Sequence, residues 1–389
     1  MSLFDSLTAA FKGGGAGRVP LTQGYIAPWA VPLGAGRGQT GYDYGEAIVT
    51  AFERNPVAQR AIRIVAEAVG SAPLIVESDA IGELMATNSG GQPLLDMLAV
   101  HLLLHGNAYV QVVKDGRGHP VDLFALRPER VEVVPGSDGW PVAYSYRVGA
   151  NVERIPLDDE QGWPNILHLR ALHPAGDHYG GGCLSAAQPA VAIHNAASAW
   201  NRALLENAAR PSGALIYKTD DAAGLTSDQF DRLKSELTEA FAGDRNAGRP
   251  MLLEGGLSWQ SLSMSPADMD FATLKAAAAR DIALAFGVPP MLLGLPGDNT
   301  YSNYREANRA LWRLTLLPLA DKILTGLSRG LRPWFGATKL TVDLDRIPAL
   351  AEDRERLWSQ VTGADFLTEA EKRDMLGLSP RPASQEEGK

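Results

Sequence analysis

The chain has 389 residues, 45% hydrophobic and 21% charged, a composition typical of globular proteins that bury one or several cores. Its formal net charge of −9 argues against a module that grips nucleic acid through a basic surface. The single cysteine, Cys183, excludes an internal disulfide and a cysteine-based zinc cluster and fits a reducing cytoplasm. No apolar run approaches the roughly 18 residues that span a bilayer, so we predict no membrane contact and no signal peptide.

The N-terminal 43 residues are rich in Gly and Pro without a sustained period, which predicts a flexible arm with order beginning near Tyr44. A helix is predicted from Asn55, because Asn55 can cap it and Pro56 suits its first position. Gly70 and Pro73 end this pattern. A second helix is expected over about 93–104.

Short strand patterns dominate the next stretch and predict a mixed α and β region. The predicted strands are Leu74–Glu77, Asn107–Lys114, Asp122–Leu126, Val131–Val134, Val142–Val148 and Ile166–Leu169.

An Ala-rich helical pattern follows from Pro189, with an apolar stripe over Ile193, Ala197, Trp200, Leu204 and Ala208. Small residues on its opposite side, Ala196, Ala199 and Ala203, would let another helix approach closely. A compact insert comes next. Its predicted parts are a strand Ala214–Tyr217, a helix capped by Thr226 and Gln229, and an extended pair Pro250–Glu254 and Leu257–Leu262.

A further helix is predicted from Ser265 and Pro266, with the stripe Phe271, Leu274, Ala278, Ile282 and Ala285. Two helices therefore flank the insert. A polar loop, 290–304, leads into a long helix over about 304–331, where Pro318 should cause a kink. A strand Leu340–Leu344, a charged helical end from about Ala351 and disorder after Ser379 complete the chain.

Enzyme motifs are absent from the sequence. GGGAGRVP lacks the Lys–Ser/Thr ending of a phosphate-binding loop, and Ser185 is expected to start a helix instead of forming a nucleophile elbow. His101 and His105 have the spacing of two metal ligands, but neither a nearby Glu nor a third ligand accompanies them, so packing and capping are expected. His168 and His173 also lack nearby acidic partners.

Other candidate reactive residues also have simpler interpretations. Asp343 and Asp345 alternate on a predicted strand and could hold a cation, although a solvated strand face is the preferred reading. Cys183 is expected to be an inert small residue, and Trp200 a core or inter-subunit contact. We therefore predict no catalytic residue, no metal and no cofactor.

Several sequence blocks resemble portal proteins of the HK97-like phage family. They include NPVAQRAIRIVAEAVGSAPL (55–74), HLLLHGNAYVQVVKDGRGHPVDLFALRPERVEV (101–133), NAGRPMLLEGGLSWQSLSMSPADMDF (246–271), IALAFGVPPMLLG (282–294), NTYSNYREANRALWRLTLLPLADKI (299–323) and LTEAEKRDMLGLSP (367–380). The resemblance covers about residues 44–380 in the family's order. The Ala- and Gly-rich composition suggests an alphaproteobacterial prophage or gene transfer agent.

The resemblance implies an α+β, helix-rich portal fold. Its implied parts are an arm (1–43), a wing (44–183), a stem helix (184–211), a clip (212–264), a second stem helix (265–288), a tunnel loop (289–303), a kinked tunnel helix and wing strand (304–348), a short helical crown (349–380) and a disordered tail (381–389). The crown is small for the family, and its polar tail does not suit a long helical barrel.

The implied function is a ring of about twelve subunits at one capsid vertex, which would be a channel for DNA packaging and ejection. Its implied partners are double-stranded DNA passing non-specifically, the terminase large subunit, the major capsid protein and the head–tail adaptor. The net charge suits such a channel, because an acidic wall repels the duplex whereas a basic wall would brake it. Assembly in the host cytoplasm and incorporation into the virion are expected.

Candidate residues follow from that layout. The DNA-facing candidates are Asn299, Thr300, Tyr301, Ser302, Asn303, Lys275 and Arg280. The clip candidates for partner contact are Asp228, Arg232, Arg245 and Arg249. The alternatives are another head–tail connector or adaptor ring, an uncharacterised α/β enzyme, and a generic scaffolding protein.

Overall fold

The computed structural model describes residues 44–86, 88–89, 91–206, 213–217, 226, 228, 231–232, 235, 257–261, 271–295 and 301–378. These residues form two compact units. Unit 1 consists of Tyr44 and the described residues within 66–182 and 316–378. Unit 2 consists of the described residues within 45–65 and 183–315. The expected arm 1–43 and the tail from Ser379 lie outside the described residues.

Helices and strands alternate in an α+β chain, as expected. The described helices are α1 (Tyr44–Ile48), α2 (Pro56–Gly70), α3 (Asp79–Met85), α4 (Leu94–Leu104), α5 (Cys183–Glu206), α6 (Phe271–Ala285), α7 (Tyr301–Leu311), α8 (Leu317–Phe335), α9 (Ala351–Thr362) and α10 (Glu369–Leu376). The described strands are β1 (Leu74–Val76), β2 (Asn88–Ser89), β3 (Gln92–Pro93), β4 (Asn107–Lys114), β5 (Pro120–Leu126), β6 (Val131–Pro135), β7 (Pro141–Val148), β8 (Asn151–Pro156), β9 (Ile166–Arg170), β10 (Gly213–Tyr217), β11 (Leu257–Ser261) and β12 (Leu340–Val342).

Unit 1 is organised by two antiparallel three-stranded sheets, with the orders β5-β4-β9 and β6-β7-β8. Alternate side chains from both sheets meet in one buried apolar cluster. Its members are Tyr109, Leu126, Val131, Val133, Tyr144, Ile155 and Ile166. Strand β8 was not expected, because five of its six residues are exposed and the strand shows no apolar alternation.

Helix α8 packs on strand β9 through two glycines. A Cβ on Gly326 would lie 2.1 Å from a methyl carbon of Leu169, and one on Gly330 would lie 2.5 Å from a methyl carbon of Leu167. Residues four apart occupy the same side of a helix, so this face of α8 carries no side chain at the two positions where β9 packs against it. Nearby, β1 pairs antiparallel with β12.

The predicted start of α2 is confirmed. The Oδ1 atom of Asn55 accepts hydrogen bonds from the backbone N–H groups of Val57 and Ala58, at 3.1 and 2.9 Å. Its Nδ2 atom donates to Oδ1 of Asn195 at 2.9 Å and to Nδ1 of His194 at 3.2 Å. One buried side chain thus caps α2 and joins it to α5 within unit 2.

Three helix boundaries differ from expectation. Helix α5 begins at Cys183, before the predicted start at Pro189. Pro189 is exposed and removes only one backbone hydrogen bond, so the helix continues through it. Helix α7 begins at Tyr301, one turn before the expected start. A π-helical turn, Trp312–Leu316, separates α7 from α8 and places Pro318 within the first two positions of α8.

The expected strand Leu340–Leu344 is shorter in the structure and ends at Val342. Asp343 instead accepts a hydrogen bond from the backbone N–H of Asp345 and caps a 3-10 turn. The interpretation of these two aspartates as same-facing strand residues was therefore wrong, because a side chain that caps a local turn competes with strand extension.

Candidate functional site

The predicted channel residues that the structure describes lie on two helices of unit 2. Ser302 and Asn303 are exposed in the first turn of α7, whose first residue is Tyr301. We expected these residues in a loop, but the helical pattern extends back to include them. Asn299 and Thr300 lie outside the described residues.

Lys275 and Arg280 occupy different sides of α6, because five residues rotate a helix by about 140° from the starting position. Lys275 is half-buried. The pKa of His194 in α5 is lowered first by the burial of His194 itself and then by the positive charge of Lys275. Lys275 therefore lies toward α5. Arg280 is exposed, so the two cations do not form one basic face.

The predicted insert closes on a two-stranded base. Strands β10 and β11 pair antiparallel, with Gly213 opposite Ser261 and Tyr217 opposite Leu257. We expected the partner of β11 in Pro250–Glu254, a segment outside the described residues. The structure shows β10 as a partner of β11.

Two of the four predicted clip residues are described. Asp228 and Arg232 are both exposed and helical, and their spacing of four places them on one side of a helix. Arg245 and Arg249 lie outside the described residues, as does Gln229 of the expected capping box.

The exposed residues of α5 before Asn201 are uncharged, whereas Arg202 near the end of the helix is exposed. No Asp, Glu, Lys or Arg occurs between Cys183 and Asn201. The exposed residues between Cys183 and Asn201, defined here as the α5 outer face, are Ala186, Pro189, Ala192, Ile193, Ala196, Ala199 and Trp200. Ile193 and Trp200 retain 43% and 47% of their accessible surface.

This face changes the meaning of the predicted stripe. Ala197 is buried, whereas Ile193 and Trp200 are exposed. Periodicity alone placed all three on one apolar stripe and left Trp200 as a core or inter-subunit contact. The signal that could have separated them is the lack of charge, because a helix that is apolar all round is covered on all sides.

Helix α6 also carries exposed apolar residues. Leu274 is 45% exposed and Leu284 is 79% exposed, with exposed Ala277 between them at helical spacing. We call these three residues the α6 outer face. Asp281 is exposed on the same side of the helix, four residues after Ala277 and three before Leu284, so this face is mixed where the α5 outer face is not.

A polar corner of unit 1 surrounds Asn107, which sequence reasoning did not single out. Its Oδ1 atom accepts from the backbone N–H of Gly180 at 2.7 Å and from Nε2 of His168 at 3.2 Å. Its Nδ2 atom donates to Nδ1 of His105 at 3.1 Å and to the carbonyl of Gly180 at 3.2 Å. A buried amide with four partners fixes its neighbours rigidly.

Three glycines make that corner possible. A Cβ on Gly180 would lie 2.1 Å from the carbonyl oxygen of Gly106, and one on Gly182 would lie 2.4 Å from the carbonyl oxygen of Leu104. The chain at Gly180 and Gly182 therefore packs directly against the backbone of residues 104–106. This requirement is nonlocal, so the triglycine reads only as a turn in the sequence.

The histidines around this corner are neutral. Burial, followed by His105 and Arg127, lowers the pKa of His101 from 6.5 to about 4. Burial lowers the pKa of His105 to about 4. Burial, followed by Arg170 and then by the neighbouring histidines, lowers the pKa of His168 to about 3. The ring of His105 packs against Tyr44 and the ring of His168 against Tyr109, while His101 is buried in α4, so all three neutral imidazoles lie among packed residues.

The remaining candidate reactive groups have structural partners. Arg354 donates to both carboxylate oxygens of Asp345, at 2.6 and 2.9 Å, and Trp358 Nε1 donates to the same carboxylate at 3.0 Å. Cys183 is half-buried at the first position of α5. Among the described residues, no group of three His, Cys, Asp or Glu side chains could hold a metal ion, and no helix could cross a membrane.

Comparisons with known proteins give one consistent match. The family model described as phage portal protein matches residues 56–377. An uncharacterized protein of Rickettsia bellii is 40% identical over 347 residues, which are 85% of this chain and 88% of the relative.

Solved structures agree with the family match. A chain in the neck of a native gene transfer agent particle, computed with C12 symmetry, is 47% identical with a TM-score of 0.69 over 90% of this chain and 97% of that one. An HK97-family phage portal protein from Corynebacterium diphtheriae is 19% identical with a TM-score of 0.54, over 80% of this chain and all of its own, which shows a shared fold.

Proposed function

Because this chain belongs to the phage portal protein family, we propose that its copies form a ring at one vertex of a capsid, through which double-stranded DNA enters and leaves. The observation that carries the proposal is the α5 outer face, whose residues are uncharged and exposed. Surfaces of this kind mark contacts between proteins.

The ring has about twelve copies. The support for this number is the similar chain from the neck of a gene transfer agent particle, computed with C12 symmetry. That similarity also favours a gene transfer agent over a virus as the particle to which the protein contributes. Its assembly takes place in the bacterial cytoplasm before incorporation into the particle.

DNA passes through the ring without sequence-specific contact. A formal net charge of −9 disfavours tight phosphate binding, because each Lys or Arg that neutralises a phosphate strengthens a salt-dependent grip. The contacts proposed for the bore are few and mostly polar, with Ser302, Asn303 and Arg280 as exposed candidates in the structure.

The insert between α5 and α6 is the proposed docking site for the terminase large subunit and later for the head–tail adaptor. Its base is the β10–β11 pair, and Asp228 and Arg232 are exposed on it. Unit 1 is the proposed contact with the major capsid protein. The family match over residues 56–377 favours this whole-chain portal role over that of a separate adaptor.

The portal itself performs no chemistry in this proposal. Its family is structural, and the buried histidines and the paired Asp345 provide packing and ion pairing. Energy for DNA movement would come from the ATP-driven terminase. The purified chain should therefore show no ATP turnover above a buffer blank, and turnover that survives repurification would contradict this part of the proposal.

Negative-stain electron microscopy of the purified chain tests the ring directly. We expect closed rings with a central hole wide enough for duplex DNA. Native mass spectrometry of the same sample counts the copies. A strictly monomeric protein at micromolar concentration, even with capsid protein present, would contradict the proposed function.

A further inference from the structure

A cleft of about 490 Å³ opens in unit 1 beside the end of strand β9. One wall is the segment 170–179, which begins at the last residue of β9, and the other wall carries Lys322 from helix α8. Both walls belong to the same compact unit. None of the expected channel, clip or metal-binding residues lies in this cleft, so its chemistry is still to be assigned.

The longer wall of the cleft is held in place by contacts within the chain. The guanidinium of Arg170 donates to the carbonyl oxygen of Asp177 at 2.6 Å and closes the loop between them. The backbone N–H of Ala171 donates to the carbonyl oxygen of Gly106 at 2.8 Å. A Cβ on Gly176 would clash with a backbone carbonyl oxygen of the same loop. A preformed cleft of this kind loses little conformational entropy when it binds.

The lining of the cleft carries more positive than negative charge, in a chain whose formal net charge is −9. Arg170 and Lys322 are exposed cations, and among the described residues Asp177 is the single carboxylate of the lining. Leu172, in the same wall, is 85% exposed. A ligand that combines a carboxylate with an aromatic or apolar group complements this surface. A DNA backbone fits less well, because it offers nothing to the leucine and is repelled by the aspartate.

The described chain begins close to this cleft. The ring of Tyr44 packs on the ring of His105, with centroids 4.9 Å apart. The next residue, Gly106, accepts the hydrogen bond from Ala171 in the wall of the cleft. The arm 1–43 therefore joins the described chain within two contacts of the cleft. Such tethering raises the local concentration of the arm to about the millimolar range, which favours the arm over a separate protein as the occupant.

The sequence just before Tyr44 has the complementary chemistry. Residues 38–43 read GQTGYD, which places an aromatic ring at Tyr42 and a carboxylate at Asp43. Residues 1–43 contain one other carboxylate, Asp5, which is much farther along the chain from the cleft. Six extended residues span at most about 20 Å, so this short segment can reach the cleft without the rest of the arm.

We propose that residues 38–43 dock in the cleft of their own copy. The carboxylate of Asp43 pairs with Arg170 and Lys322. The ring of Tyr42 packs on Leu172. This contact fixes the point at which residues 1–37 leave unit 1, so the arm starts from the same place on every copy. Because the contact lies within one copy, it goes beyond the proposed function and does not depend on a ring.

Zero-length cross-linking of the full chain tests the docking. A carbodiimide joins a carboxylate and an amine that are in direct contact, so we expect tryptic peptides in which Asp43 is linked to Lys322. Mixing unlabelled chains with chains labelled with heavy nitrogen before assembly separates links within a copy from links between copies. Absence of the link, or linked peptides that combine both labels, would overturn the proposal.

Amide hydrogen exchange gives an independent measure. Lys322→Gln removes one cation at an exposed position of α8, so the fold should be kept. We expect the amides of 39–43 to exchange about fivefold faster in this variant. Arg329→Gln makes a similar change at another exposed position of α8, outside the cleft lining, and should leave exchange unchanged. Equal exchange in the parent and in Lys322→Gln would contradict the docking.

A double substitution tests whether the two charges act on each other. In an Asp43→Asn background, Lys322→Gln should have no further effect on exchange, because the pair is already broken. A further acceleration of the same size would overturn the pairing. Duplex DNA added at low salt tests the other occupant. Slower exchange at 172–177 with DNA, without any effect of Asp43→Asn on the same amides, would make phosphate the ligand and would also overturn the proposal.

Discussion

The two units of this protein differ in where their apolar side chains are buried and where they are exposed. In unit 1, two sheets cover each other and the polar corner around Asn107 satisfies its own hydrogen bonds within the chain. In unit 2, α5 and α6 pack together yet leave Ile193, Trp200 and Leu284 exposed. Unit 1 also exposes apolar side chains, among them Leu172 and Phe366, whereas those of unit 2 named above lie on the paired helices α5 and α6.

The largest expected effect lies in unit 1. Gly180→Ala would put a methyl group 2.1 Å from the carbonyl oxygen of Gly106, and backbone on both sides prevents relaxation. We expect the free energy of unfolding to fall by about 4 kcal/mol, measured by urea titration. Gly116→Ala is the control, because nothing lies within 4 Å of its Cβ. Similar stability of both variants would show that the glycine segment is not tightly packed.

A pair of isoleucines separates the two kinds of surface. Ile62 in α2 is fully buried and Ile193 in α5 is 43% exposed, and both belong to unit 2. Ile62→Ala should lower the free energy of unfolding by about 3 kcal/mol. Ile193→Ala should change it by less than about 0.5 kcal/mol in dissociated protein and yet weaken ring assembly.

The readouts for this pair are urea unfolding at a concentration where single chains predominate and sedimentation at a concentration where rings form. A large loss of subunit stability from Ile193→Ala would mean that its role is within the chain. Normal assembly with unchanged stability would mean that the α5 outer face has no partner.

The sequence predicted local features of the fold well and nonlocal ones poorly. The cap at Asn55 was predictable because its partners are two and three residues away. Strand β8 was not, since it gains its place from pairing with β7 and shows no apolar alternation of its own. The triglycine 180–182 reads as a turn, because the backbone that it touches is more than 70 positions distant.

The candidate surfaces show the same limit. A stripe over Ile193, Ala197 and Trp200 predicts burial without saying whether the covering helix belongs to the same chain. In the structure of the single chain, Ala197 is buried whereas Ile193 and Trp200 are exposed. Absence of charge between Cys183 and Asn201 was the available sequence signal.

Acid should affect unit 1 through its buried histidines. Their folded pKa values lie below the ordinary 6.5, so the unfolded chain binds protons first, and stability is lost as pH falls from about 6.5 toward 4. Each histidine contributes at most about 1.4 kcal/mol per pH unit in that range. Thermal unfolding between pH 7 and pH 4 measures the slope.

His101→Leu should make the slope in this pH range shallower, because leucine fills the buried site without titrating. His119→Leu is the control, since His119 is exposed. An unchanged slope in His101→Leu would show that His101 does not titrate in the unfolding transition.

The smallest expected effect is at the C-terminal helices, whose packing depends on one guanidinium. Arg354 bridges Asp345 and the carbonyl oxygen of Leu376, at 3.1 Å, and so connects the end of α10 to the 3-10 turn at Leu344–Arg346. Arg354→Lys keeps the charge but loses the two-pronged contact, so we expect α10 to loosen by about 1 kcal/mol without global unfolding. Faster amide hydrogen exchange confined to 369–376 would measure this change, with Arg356→Lys, an exposed position on α9, as the matched control. Equal exchange in both variants would mean that apolar packing, and not Arg354, holds α10 in place.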